Sequence, residues 1–211
     1  MSEEARLRER MAEHGASLFA RGHAVGSAGN ISVRLEDGFL MTPTNSCLGR
    51  LDPARISKLD RDYRHVGGDK PSKEVFMHRA FLAMRPEAGA VVHLHSTQAT
   101  AIACLAQPGE TAPIPPLTPY FVMRVGCCLP VIRYYRPGDP AMEPAIAEAA
   151  REARAVLLAN HGPVVSGASL DDAVYAAEEL EEAAKLALLL HGRPARTLTP
   201  DQVEDLLAAF G

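Results

Sequence analysis

The sequence predicts a layered α/β domain with a central mixed sheet covered by helices on both faces. Three observations carry this. Segments with helical spacing of apolar residues alternate with short strand-like runs along the chain. Two of those runs, Ala90–His95 and Ala155–Ala159, are almost wholly apolar, as befits strands buried on both faces. An early hairpin, Ile31–Leu35 and Phe39–Thr42 turned at Asp37-Gly38, argues against an all-parallel sheet.

The elements follow in order. Glu3–Arg21 reads as a helix with Leu7, Met11, Ala12, Leu18 and Phe19 on one side. After the hairpin, Ser72–Met84 reads as a helix capped by Ser72, buried through Val75, Phe76, Ala80 and Met84, and stopped by Pro86. Ala90–His95 is a short strand, and Ser96 or Thr97 caps a helix running through Leu105. Five prolines between Gln107 and Pro119 mark an ordered extended loop. Pro130–Tyr134 reads as a strand. Asp139 followed by Pro140 opens a helix to about Ala153, because proline is favoured at the first helical position. Ala155–Ala159 is the next strand. Ser169 then caps a long helix, Leu170–His191, with Asp172 at its third position and Gly192 just beyond its end. Thr199-Pro200-Asp201-Gln202 starts a final helix by the same logic. Leu180, Ala184, Leu186, Leu188 and Leu190 give the long helix more than one apolar stripe, which suits burial on two sides, in a thick core or against another subunit. No repeat or low-complexity stretch divides the chain, so residues 1–211 are expected to form one domain.

Composition narrows the function. With 22 Lys+Arg against 26 Asp+Glu, the net charge of −4 gives no general attraction to nucleic acid or to an anionic membrane surface. Aromatics at 5% leave little for a base-stacking platform. No apolar run approaches the ~18 residues of a membrane-spanning helix, and the charged N-terminus lacks the apolar core of a secretory signal. The expected location is the cytoplasm. Cys47, Cys104, Cys127 and Cys128 contain no C-x-x-C pair and are expected to be reduced thiols.

The histidines carry the sharpest signal. His93 and His95 lie two apart near the end of an apolar strand, so their side chains project to one face and can share a divalent metal. Alone, the pair is equally well explained as two hydrogen-bonded polar residues. A second apolar strand, Ala155–Ala159, also runs into a histidine, His161, within Asn160-His161-Gly162-Pro163. Strand ends on one side of a sheet converge, and three imidazoles are a familiar zinc set that leaves room for substrate. The other five histidines (His14, His23, His65, His78 and His191) read as packed or solvated residues.

Glu74 lies at the start of a helix, where any acid is favoured by the helix dipole. Near a metal it can also transfer a proton or serve as a fourth ligand. Ser72, Lys73 and the backbone N–H groups there suit an anion. Gly26-Ser27-Ala28-Gly29-Asn30 offers small residues for close backbone approach, and Thr44 and Asn45 come off the adjacent hairpin toward the same place.

On Gly26–Asn30, Ser72-Lys73-Glu74, His93-Leu94-His95 and Asn160-His161-Gly162, in that order along nearly the whole chain, the sequence resembles the class II aldolase/adducin family. That family includes L-fuculose-phosphate aldolase and L-ribulose-phosphate epimerase. The resemblance implies a three-layer α/β/α sandwich with a central mixed, largely antiparallel sheet. It implies a divalent metal, zinc first and Mn2+ or Co2+ as alternatives, held by His93, His95 and His161. It implies proton transfer by Glu74, which approaches the metal when substrate is absent. A substrate phosphate would be held by Asn30, Ser72 and Lys73, with Ser27, Gly29, Thr44 and Asn45 around it. The family is usually tetrameric with sites at subunit boundaries, and Tyr120 is the candidate proton donor from a neighbouring subunit.

Lys73 stands where aldolase members carry a second serine. With Thr42–Pro53, Pro115–Gly126 and Tyr134–Ala141, it resembles the branch that decarboxylates 3-oxo-tetronate 4-phosphate to dihydroxyacetone phosphate through an enediolate stabilised by the metal. The expected partner is thus a small phosphorylated sugar acid. The alternatives are an aldolase or epimerase acting on fuculose or ribulose phosphate, and a non-catalytic adducin-like binding domain.

Overall fold

The computed structural model describes residues 2–210 as an eight-stranded sheet between two helical layers. The strands are β1 (Asn30–Leu35), β2 (Gly38–Met41), β3 (Ser57–Asp60), β4 (His65–Gly67), β5 (Ala90–His93), β6 (Val131–Ile132), β7 (Ala155–Leu158) and β8 (Gly162–Gly167). The helices are α1 (Glu3–Ala20), α2 (Val75–Met84), α3 (Thr97–Leu105), α4 (Pro119–Arg124), α5 (Glu143–Ala150), α6 (Leu170–Leu189) and α7 (Pro200–Phe210). The sheet order is β4-β3-β2-β1-β5-β8-β7-β6, and each neighbouring pair is antiparallel except β6 with β7. The expected mixed, largely antiparallel sheet is therefore present.

Alternation along the central strands builds the two cores. Ile31, Val33, Ala90, Val92, Ala155 and Leu157 point into one core, with side chains of α1, α3, α4 and α6. Val91, Val156 and Leu158 point the other way, into a core closed by α2 and α5 through Phe76, Phe81 and Ile146. A strand residue shifted by one position changes core, so this register fixes which polar side chains share a face.

Several boundaries differ from the sequence reading. The hairpin loop is Glu36-Asp37, because Leu35 pairs with Gly38. The helix expected from Ser72 begins at Val75. Pro43 bridges Pro71 and the Ser72 N–H donates to the Thr42 carbonyl, so this segment is tied to the sheet. The Ser72 hydroxyl accepts from the Glu74 N–H at 3.2 Å, leaving Glu74 at the helix N-cap position. Regular strand pairing stops at His93, and only Val131–Ile132 of the expected Pro130–Tyr134 strand pairs. The helix expected from Pro140 is a 3-10 turn, Pro140–Met142, followed by α5. The extended proline loop ends at Thr118, whose side chain caps α4.

The start of α3 holds a further difference. Ser96 occupies the N-cap position, but its buried hydroxyl has no partner among the described residues. Glu181 of α6 takes that task. Its buried carboxylate accepts from the N–H groups of Gln98 and Ala99, each at 2.8 Å. A charge on one helix thus satisfies the free donors of another, directly after the segment carrying His93 and His95. The long helix α6 is buried through Leu180 and Ala184, while Leu189 near its end is exposed. The four cysteines are free thiols.

Candidate metal centre and adjoining cavity

Strands β5 and β7 are both antiparallel to β8 and so run parallel to each other. Their C-terminal ends open on the same edge, and this brings three histidines together. Nε2 of His95 lies 3.1 Å from Nε2 of His93 and 3.0 Å from Nε2 of His161. The turn between β7 and β8 presents His161. Asn160 there has a φ of 57°, a left-handed conformation that asparagine tolerates better than most residues. Gly162 follows, and a Cβ on it would stand 2.4 Å from the Leu94 carbonyl oxygen, so only glycine lets the turn pack against the His93–His95 segment.

Burial disfavours a charge on each of the three rings. Burial keeps His93 well below the ordinary imidazole range, with His161 and His95 adding to the effect. Burial, then His161, lowers His95 to about 4. Burial lowers His161 against an opposing pull from Glu74. His93 donates from Nδ1 to the Pro163 carbonyl oxygen at 2.8 Å, which places its lone pair on Nε2, facing the other two rings. His161 Nδ1 is buried without a partner among the described residues, so His161 lacks this orientation.

A divalent cation fits this donor set. Bare imidazole nitrogens at such separations repel unless a cation or a shared proton lies among them. Tetrahedral ligation with metal–nitrogen bonds of ~2.0–2.1 Å spaces ligand nitrogens by roughly 3.3–3.4 Å, slightly more than the two gaps to His95. Among the described residues these three alone form a cluster of this kind.

Glu74 completes the edge of the cluster. Its Oε2 lies 3.7 Å from Nε2 of His93 and its Oε1 lies 3.8 Å from Nε2 of His161, too long for hydrogen bonds but close enough for charge. Oε2 also accepts from Nδ2 of Asn30 at 2.8 Å. The carboxylate therefore faces the imidazoles, held by a side chain from β1.

A cavity of about 240 Å³ adjoins the cluster and reaches His95 and Glu74. Ser27, Gly29 and Asn30 line it from the loop before β1 and the strand's first residue. Thr44 and Asn45 line it from the hairpin side, and Ser72 and Lys73 from the approach to α2. The seven residues expected around a phosphate thus share one cavity. A Cβ on Gly29 would lie 3.0 Å from the His93 carbonyl oxygen, and its φ of 84° also calls for glycine. Pro137 and Gly138 form a wall that the sequence reading missed. Gly138 lies beside the Lys73 stem, and the signal available was the Tyr134–Ala141 stretch, which carried a resemblance without pointing to the cavity.

Tyr120 lies elsewhere. It is exposed on α4 and lines a separate surface depression with Arg124, Tyr175 and Glu179. Within one chain the structure does not bring it to the histidines.

Comparison with known proteins agrees with this architecture. Residues 9–188 match the family model described as the class II aldolase and adducin N-terminal domain. The chain is 52% identical over 201 residues to the 3-oxo-tetronate 4-phosphate decarboxylase of Escherichia coli strain K12, covering 95% of this chain and 94% of that protein. It is 34% identical over 188 residues to the L-fuculose phosphate aldolase of Haemophilus influenzae, covering 88% and 84% of the two chains. The crystal structure of YgbL from Escherichia coli superposes with a TM-score of 0.93 at 50% identity, covering 97% of this chain and 99% of that one. The matched span takes in the histidine cluster, Glu74 and the whole cavity, and on that ground the chain belongs to the class II aldolase/adducin family.

Proposed function

We propose that this protein is a lyase that decarboxylates 3-oxo-tetronate 4-phosphate to dihydroxyacetone phosphate and carbon dioxide. The carrying observation is the set of three imidazoles, with His95 Nε2 3.1 Å from His93 Nε2 and 3.0 Å from His161 Nε2, beside the Glu74 carboxylate at the mouth of a cavity lined by anion-binding groups. The half-identical decarboxylase relative supports the choice of substrate.

His93, His95 and His161 would hold a divalent metal, and an all-imidazole set favours zinc. Such a cation, when bound, supplies Lewis-acid stabilisation of developing oxyanion charge. As the bond to the carboxylate breaks, its electrons pass toward the neighbouring keto oxygen and carbon dioxide leaves. One proton must then reach the carbon that lost the carboxylate. Glu74 takes up that proton from solvent and passes it to the carbon, returning to the carboxylate, with Tyr120 of a neighbouring subunit as donor or positioning group. Ser72 and Lys73 hold the phosphate, aided by Ser27, Gly29, Asn30, Thr44 and Asn45. That grip is remote from the reacting bond, so its binding energy can act in the transition state.

The remaining readings concern assembly. Residues 1–211 act as one domain, the chain forms a tetramer in the cytoplasm, and the catalytic cavity is completed across a subunit boundary. Exposed Tyr120 supports this, as does α7, which has no buried residue and leaves Leu207 and Phe210 open. No described helix is long and apolar enough to cross a membrane.

The test is a coupled assay for dihydroxyacetone phosphate run in parallel on 3-oxo-tetronate 4-phosphate, fuculose 1-phosphate and ribulose phosphate. Turnover of the first, with release of carbon dioxide, is expected. Turnover of a sugar phosphate alone would replace the decarboxylase reading with an aldolase one.

A further inference from the structure

One buried ionisable group near the cavity has no part in the reaction as described. His78 of α2 is 1% exposed, and both its ring nitrogens have polar neighbours. The register explains why. Asn30 and Ser32 are two apart on β1 and share the face toward α2, while Glu74 and His78 are four apart around the start of α2. Strand period and helix period thus set two polar pairs against each other. Ser32 Oγ lies 2.8 Å from His78 Nδ1, His78 Nε2 makes a short contact with Asn30 Oδ1, and Asn30 Nδ2 donates to Glu74 Oε2.

The donors in this row are determined from one end. Asn30 turns its NH2 toward the Glu74 carboxylate, so its carbonyl oxygen faces His78. That carbonyl can only accept, so His78 must carry its proton on Nε2, and Nδ1 must accept from the Ser32 hydroxyl. We infer that His78 is a positioning residue for the proton-transfer carboxylate, locked as the Nε2–H tautomer and acting through Asn30. The lock prevents the amide from flipping. A flipped Asn30 would aim its carbonyl oxygen at the Glu74 carboxylate and turn it away from the histidine cluster. Burial agrees with a neutral ring, since it lowers His78 to about 3. The Val91 backbone opposes that effect of burial without cancelling it.

The inference rests on Glu74 acting in the proposed lyase, and two measurements separate its failure from the failure of that reading. The first needs no activity. Nitrogen-15 spectra of histidine-labelled protein at neutral pH, with His78 assigned by its loss in His78→Gln, are expected to show protonated Nε2 and bare Nδ1. The Nδ1–H tautomer or a charged ring overturns the inference. The second compares variants in the decarboxylation assay. His78→Leu removes the donor and is expected to lower kcat at least about tenfold, with KM and metal content held. His78→Gln restores an N–H donor and is expected to recover kcat to within about threefold of wild type. Should His78→Leu not fold, Ser32→Ala removes the hydroxyl that favours bare Nδ1 and is expected to lower kcat severalfold at constant KM. Wild-type kcat in His78→Leu, or in Ser32→Ala where His78→Leu does not fold, overturns the inference. So does a loss expressed in KM or metal content, or equal loss in His78→Leu and His78→Gln. A wild-type protein without turnover would instead count against the lyase reading, leaving the tautomer measurement to stand on its own.

Discussion

The buried neutral state of His78 has a measurable thermodynamic signature. In the unfolded chain the ring titrates near 6.5, whereas burial in the fold lowers this to about 3. Between those values the unfolded state binds a proton that the folded state refuses. Stability from this residue is therefore fully present above about pH 6.5 and is lost as the pH falls toward 3. The slope is about 1.4 kcal/mol per pH unit for one fully buried group, so a drop from about pH 6.5 to about pH 5 costs about 2 kcal/mol. His78→Gln removes this titration and leaves every other ionisable group in place. Urea unfolding of both proteins with chelator present, at the two pH values, isolates the contribution. The wild type is expected to lose about 2 kcal/mol more than the variant over that interval. A stability difference that does not change with pH would refute the claim that His78 is buried and neutral.

Other expectations follow from the same geometry. Glu74→Gln keeps a similar shape and should retain metal while kcat falls by about 10²- to 10⁴-fold, as read by elemental analysis alongside the assay. Glu181→Ala removes two charged acceptors at 2.8 Å and leaves two α3 donors bare, which should destabilise the fold by about 3–5 kcal/mol in urea unfolding. Tyr120→Phe should lower turnover, and co-expression with His93→Ala should restore part of the activity in mixed assemblies, because some sites then combine an intact cluster with an intact tyrosine. Wild-type turnover in Tyr120→Phe would remove the residue from the mechanism.

The convergence of the three histidines was legible in the sequence because two apolar strands each end in one, and strand ends are places where topology limits the choices. His93, His95 and His161 came together for that reason. The cavity was legible for a different one. Gly26–Asn30, the residues after the hairpin and the approach to α2 each showed a local signal, and the sheet carries all three to one edge. Weak periodicity hid β3, whose Ser57-Lys58-Leu59-Asp60 lies half in solvent, and β4, which is three residues long. Strand β8 was hidden because Gly162-Pro163 reads as a turn, although its later residues Val164 and Val165 are fully buried. Glu181 was beyond local reasoning, since nothing on α6 announces that its carboxylate caps α3. His78 lies between these cases. Its spacing from Glu74 was visible, but its meaning needed the register that sets Asn30 and Ser32 against it.

The most direct test of the account is the metal content of the protein purified without added metal, measured together with turnover. The account predicts about one divalent ion per chain, lost together with activity on chelation and in His161→Ala, and activity regained by the chelated wild type on adding zinc. Full turnover by a chain free of divalent metal would contradict it.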